Sequence, residues 1–356
     1  VPSPLQGQSR QAGTGKQQAA FAFVGGTPGA LFAWGKAMIA GAAEITGAAL
    51  DLCADIPVAA QPSGRLVVVH SEAPDADFAA AALRGSVSLL FLGDPAADLA
   101  FQQRVLAQPP LDSLRALTQS AATLCDMRAG ALLIRQSSRP AAAVIQRVLA
   151  ALGLPGTGPA AEAVIQRFAG PHAALPLAQA VEWYAAGHLP VRAAQPQDAP
   201  IAEAKAVQAI LAPAYAAIAT GEAGRIVWPR ACFFDGDRPG AIAPPWIEVA
   251  GGARILFYGP YLHLPRGRWR LTVQLAFSDD LDKTSFSIEV VCGGIKARGR
   301  IKPAASGTFY AAFPFEHDTP AEPVEVRIAT DHGSIFGRMA LIDAAFTAEP
   351  AALVPP

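Results

Sequence analysis

A strand, a tight Gly/Pro turn and the start of a helix follow one another in Phe23-Val24-Gly25-Gly26-Thr27-Pro28-Gly29-Ala30-Leu31, and the turn carries no cation. That local order aims backbone N–H groups at a place where a phosphate could sit. No Lys, Arg or Ser stands in the turn, and the first downstream cation is Lys36, about two helical turns along. The scaffold of a nucleotide site is therefore present without the charges that hold a nucleotide. The function is expected to lie in the other half of the chain.

The chain has 356 residues, enough for about two domains. Apolar residues make up 52% and charged residues 16%, which supports large cores and argues against disorder. A net charge of -1 gives no electrostatic case for nucleic acid or an anionic membrane as partner. The most apolar stretch, Gly29 to Leu50, is interrupted by Lys36 and Glu44 and reads as a buried helix, not a membrane span. No basic region followed by an apolar one opens the chain, so the expected location is the cytoplasm or a larger assembly. Cys53, Cys125, Cys232 and Cys292 are too scattered for a metal site and are expected as free thiols.

Residues 1–18 are polar and aperiodic and read as a tail or linker. Their Gly13-Thr14-Gly15-Lys16 lacks the glycine that a Walker loop needs five residues earlier, where Arg10 stands. Residues 19–222 alternate apolar strands (Phe21–Val24, Arg65–His70, Val87–Leu92, Ala131–Ile134) with Ala-rich helices. Strands apolar on both faces predict an α/β domain, a parallel sheet with helices on both sides. Period-2 runs dominate residues 223–350, as in Arg268-Trp269-Arg270-Leu271-Thr272-Val273-Gln274-Leu275. They predict an all-β antiparallel jelly-roll sandwich. Residues 351–356 read as a frayed tail.

The order of residues 19–222 resembles the sulfotransferase family. Family members bind the 5'-phosphosulfate of their donor with a Pro-Arg-Ser-Gly-Thr-type loop; here the corresponding loop is Thr27-Pro28-Gly29-Ala30-Leu31. A second family motif, of the Arg-Asp-Pro-Arg-Asp type, binds the 3'-phosphate; here it reads Gly93-Asp94-Pro95-Ala96-Ala97-Asp98. The arginines of both motifs are absent. Each lost charge-assisted contact costs about 1.5–3 kcal/mol, so the resemblance implies a pseudo-enzyme with a degenerate donor loop at Thr27, Pro28 and Gly29. His70 and Glu72 stand where the family places a catalytic base. They read equally well as ordinary residues at a strand end. Arg65, Arg128 and Arg135 are the available substitute anchors.

Pro265 to Ser278 resembles the Pro-x-Gly-x-Tyr-x-Leu-x-Val strand of galactose-binding-like jelly rolls, the fold of many carbohydrate-binding modules, and Met339 to Thr347 resembles their closing strand. The resemblance implies a polysaccharide or glycan as partner. Sugar recognition needs aromatic faces beside polar side chains. Trp246, Tyr258, Tyr261 and His263 supply the first, and Arg254 and Arg270, with Arg268, could contact an acidic polymer. Tyr261 and His263 alternate with Leu262 and Leu264 and are expected to face outward, whereas Trp228 and Trp269 fall on inward phases. Asp235-Gly236-Asp237 offers two carboxylates to a Ca²⁺, although an ordinary turn explains them equally. No other cofactor is implied.

Three readings follow. The first is a non-catalytic polysaccharide-binding protein of bacterial surface or exopolysaccharide assembly. The second is a transferase with an unusual donor site. The third is a structural protein whose jelly roll makes protein contacts, including those of a homo-oligomer. The missing arginines disfavour the second. Millimolar adenosine 3'-phosphate-5'-phosphosulfate is expected to leave the melting temperature unchanged, and a saturable upward shift would reinstate the transferase.

Overall fold

The computed structural model describes residues 20–54, 65–85, 87–136, 139–189, 203–281 and 284–350. The Gly13–Lys16 tract and both tails lie outside these residues. In the first half β1 (Ala20–Gly26) leads into α1 (Ala30–Thr46), followed by β2 (Leu50–Cys53), β3 (Leu66–Ser71), α2 (Ala76–Arg84) and β4 (Val87–Leu92). Then come α3 (Pro95–Arg104), α4 (Pro110–Leu124), β5 (Leu132–Arg135), α5 (Ala141–Ala151), α6 (Pro159–Phe168) and α7 (Leu177–His188). A last helix runs from α8 (Glu203–Ala206) through a π-helical turn (Val207–Leu211) into α9 (Ala212–Thr220).

The five strands form one parallel sheet in the order β2-β3-β1-β4-β5. Alternate residues feed two cores. Ala22 and Val24 pack with α1, α5, α6 and α7 on one face, while Phe23, Val67 and Val69 pack with α2, α4 and α9 on the other. This two-sided cover is why the strands read as apolar runs without alternation. The helix expected to reach Leu50 ends at Thr46, where Gly47 turns into the left-handed region (φ 68°) and its N–H closes on Ala43. Leu50–Cys53 is instead the edge strand β2, which the Ala/Gly-rich run concealed.

The second half is a sandwich of antiparallel sheets. Its strands are β6 (Ile226–Pro229), β7 (Phe234–Asp235), β8 (Ile247–Glu248), β9 (Ile255–Tyr258), β10 (Pro260–Leu262), β11 (Gly267–Phe277), β12 (Phe286–Val291), β13 (Ile295–Ile301), β14 (Gly307–His317), β15 (Val324–Thr330) and β16 (Arg338–Glu349). One sheet has the order β14-β11-β16-β6, with β8 paired to β16. The other has the order β13-β12-β15-β9-β7, with β10 paired to β15. Trp228, Trp269, Leu271, Val273, Leu275 and Phe346 fill the space between them. Between β6 and β7 the chain makes a helical turn at Arg230–Cys232.

The halves share one apolar core, continuous from the α4 and α9 face of the parallel sheet into the sandwich. Polar contacts pin the joint. Arg115 Nε on α4 donates to the Pro260 carbonyl at 3.1 Å, and the His263 N–H donates to Thr118 Oγ1 at 3.3 Å. The Arg115 guanidinium lies 5.5 Å from the Tyr261 ring, whose backbone is held at a φ of 66°. The outward placement expected for His263 is therefore not found. Its chain segment docks on α4, and the residue is 7% exposed with Nδ1 3.0 Å from the Pro320 carbonyl oxygen.

His317, the last residue of β14, is also buried. Desolvation pushes its imidazole down to about 4, opposed by the Leu264 carbonyl and Asp318 and assisted by Lys296 and His263. Burial lowers His263 as well. A histidine whose folded value lies below its unfolded value supports the fold above pH 6.5 and loses that support on acidification. Between pH 6.5 and 4 the protein should therefore lose up to about 3 kcal/mol relative to a His317→Leu variant. Urea unfolding at stepped pH measures this; a pH-independent difference between the two proteins would contradict it.

Candidate functional sites

At the carboxyl edge of the parallel sheet the β1–α1 turn meets the β4–α3 turn. Asp94 caps α3 by accepting from the N–H groups of Ala96 and Ala97, both at 3.0 Å. One turn later Asp98 points inward and is 1% exposed. Thr27 Oγ1 donates to Asp98 Oδ2 at 2.6 Å and Tyr215 Oη of α9 donates to the same oxygen at 2.9 Å. Thr27 in turn accepts from the Gly93 N–H at 3.0 Å, and Gln102 Nε2 donates to the Pro28 carbonyl at 2.7 Å. Burial drives the Asp98 carboxyl up to about 7, against the lowering effect of its two hydroxyl donors.

This carboxyl explains the glycines of both turns. A Cβ on Gly29 would lie 1.7 Å from Asp98 Oδ1, and one on Gly93 would lie 2.4 Å from it. The side chain thus fills the space between the two turns. Thr27, Pro28 and Gly29 come together as expected, but around an acid. His70, at the end of β3, is half-buried, lowered by burial and by Lys36, and its ring packs edge-on to Phe32. Glu72 is exposed and pairs with Lys36 at 3.4 Å. Among the substitute anchors, Arg65 is taken by Asp51. Arg128 lies against Gly221, away from the turns. Arg135 lines a cleft of about 430 Å³ with Gly93, Asp94, Gln136 and Tyr215.

In the sandwich, the outer face of the sheet β14-β11-β16 is an open surface with aromatic and polar side chains. Register and alternation place Arg268, Arg270, Thr272 and Gln274 of β11 on that face, beside Tyr310 of β14 and Asp343 of β16. Tyr310 is 66% exposed, and Gln274 Nε2 donates to its hydroxyl at 3.0 Å. At the far end of the same face Trp246 is 45% exposed, with the Arg338 guanidinium 5.9 Å from its ring. Ile335 and Phe336 stand exposed in the segment just before Arg338. Arg270 and Arg268 both pair with Glu349, at 2.6 and 3.0 Å.

The other expected ligand residues do not reach this face. Tyr258 is half-buried against Phe234, and its hydroxyl accepts from the Gly240 N–H. The Tyr261 hydroxyl donates to Glu325 Oε1 at 3.1 Å within the joint. Arg254 ties together a loop corner through Asp237 and the carbonyls of Glu248, Val249 and Ala250. Asp235 is buried, with its oxygens engaged by Arg238 and the Asp237 N–H. Both carboxylates of the expected Ca²⁺ turn are thus committed to arginines, and among the described residues no cluster of three or more His, Cys, Asp or Glu could hold a metal. The four cysteines are free, and burial raises the thiols of Cys125 and Cys232 to about 12. Among the described residues no helix is long and apolar enough to cross a membrane.

Tyr310, Gln274 and Arg338 were not singled out as binding residues from sequence. The alternation of Phe309, Tyr310 and Ala311 carried a signal, since an inward Phe309 forces Tyr310 outward. Tyr215 carried none, because its partner Asp98 is 117 residues away.

No known protein family matches the chain, and no curated protein does. Solved structures with a similar fold include the CBM36-1 domain of a multidomain xylanase from the hindgut metagenome of Trinervitermes trinervoides, at 10% identity over 36% of this chain and 100% of that one, TM-score 0.26. TmCBM61 in complex with beta-1,4-galactotriose is 11% identical over 37% of this chain and 93% of its own, TM-score 0.23. The C-terminal CBM6 of LamC from Zobellia galactanivorans is 11% identical over 35% and 99%, TM-score 0.24.

Asp98 generates a second pH dependence, opposite in sign to that of His317. A carboxyl whose folded value is raised supports the fold most fully at low pH and loses that support as pH rises from about 4 through about 7. An Asp98→Asn variant keeps an oxygen for Thr27 and Tyr215 and has no proton to lose. Its stability relative to wild type should increase from about pH 4 and level off above about pH 7. Parallel stability curves for the two proteins would show that Asp98 does not titrate in this range.

Proposed function

We propose that this chain is a non-catalytic polysaccharide-binding protein whose ligand lies on the outer face of the sheet β14-β11-β16. The observation that carries this reading is the pair of exposed aromatic rings on that face, Tyr310 and Trp246, each held by a polar partner. A ring fixed in place stacks on the C–H face of a sugar at little entropic cost, and the flanking amide, hydroxyls and guanidinium groups suit its hydroxyls. The α/β domain serves as scaffold, since Asp98 fills the space its donor loop would need. Such a protein fits a role in bacterial surface or exopolysaccharide assembly or attachment.

The assembly reading, in which the sandwich contacts protein, keeps one supporting observation. Ile335 and Phe336 are exposed beside Trp246 and suit an apolar partner. Affinity electrophoresis of the full chain against a polysaccharide panel separates the two. Retardation should be saturable and should weaken roughly tenfold in Trp246→Ala and in Tyr310→Ala, with melting temperatures unchanged. Migration unaltered by every polymer would favour the protein-contact reading.

A further inference from the structure

The outer face of β11 is chemically graded from end to end. Gln274 and Tyr310 form its aromatic, uncharged middle. Four residues along the strand, about 13 Å, stands Arg270, and two residues further Arg268. Both guanidinium groups lean on the single carboxylate of Glu349, Arg268 through Nε to Oε2 and Arg270 through Nη2 to Oε1. Among the described residues neither has a second ion-pair partner; Glu316 stands opposite Arg268 in register but outside ion-pair distance.

One carboxylate is shared by two guanidinium groups, and the second acid at this end, Glu316, is only a cross-strand neighbour of Arg268. Each guanidinium has five N–H donors in a planar fork, so most of them remain free toward solvent. Their side chains are 43% and 48% exposed. Beyond them the surface drops into a crevice of about 700 Å³ between the two halves, where Arg128 and Arg266 face Asp126 and Glu222. Arginines and carboxylates are matched in number at this end, and what sets Arg268 and Arg270 apart is that their guanidinium groups stay half exposed on the face.

We propose that the polymer bound on this face carries carboxylates, as a uronate-containing polysaccharide does, and that Arg270 and Arg268 read them. The inference rests on the reading of the face as a glycan site and adds the class of sugar. Tyr310 takes the flat face of one residue of the polymer. The free edge of the Arg270 guanidinium takes a carboxylate of a residue further along the same chain, by the two-point contact that arginine makes with planar oxyanions. A spacing of about 13 Å between the two anchors selects an extended polymer over a single sugar.

Polygalacturonate and the same polymer fully methyl-esterified provide the test, because they differ only in the charge. Alginate and hyaluronan extend the carboxylated set, and the neutral polymers of the panel serve as reference. Binding of the full chain is measured by calorimetry. At least one carboxylated polymer should bind about tenfold more tightly than the neutral ones, and esterification should remove the advantage. Arg270→Gln, and Arg268→Gln with it, should lose the same factor without a change in melting temperature, whereas added salt should weaken the wild type and leave the double variant unmoved. Equal affinity for acid and ester, or arginine variants that bind as well as wild type while Tyr310→Ala does not, would overturn the carboxylate assignment and leave the glycan site standing. Absence of binding to every polymer, charged and neutral, would overturn both.

Discussion

The hydrogen bond from Tyr215 to Asp98 decides how this chain is assembled. It buries a carboxyl at the carboxyl edge of a parallel sheet and fastens to it the helix that the sandwich is built upon. Tyr215 lies on α9, and the π-helical turn just before α9 packs on β6. The extra residue in a π-turn rotates the helix relative to a regular ladder. The turn itself touches both β6 of the sandwich and α3 and α4 of the first half, and downstream Tyr215 reaches Asp98.

That fastening makes the two halves one cooperative body. The apolar core runs without interruption from Phe23 to Phe346, and the α4 contacts to β10 close its polar rim. Three buried titratable groups follow from the arrangement and pull in two opposite directions. His317 and His263 favour the fold at neutral pH, because burial keeps them uncharged. Asp98 favours it at acid pH for the same reason. Their effects overlap between about pH 4 and 7 and offset one another in the intact protein.

Much of this was legible in the sequence. Strands apolar on both faces meant a covered parallel sheet, and the alternation through Arg268–Phe277 meant a half-exposed antiparallel one; both are found. Trp228 and Trp269 sit inside as their phase required, and Trp246 outside. Alternation failed at Tyr261 and His263 because it describes only which side of a strand a residue takes. It says nothing of whether a neighbouring helix covers that side, and here α4 does. The lack of cations in the β1–α1 turn was visible in the sequence, but what fills the space beside it was not. Asp98 looked like the remnant of a motif, and only the fold shows it meeting Thr27 and Tyr215.

The position of the open sheet face follows from the same joint. Ala345, on the solvent side of β16, is buried because β6 and the α8–α9 helix flank that side of the sheet. The cover stops at β16, so the outer faces of β11 and β14 stay clear. The arginine end of the exposed strip opens into the crevice between the domains. The α/β domain thus helps set where the open face ends, while the space between its own two turns is filled by the Asp98 carboxyl.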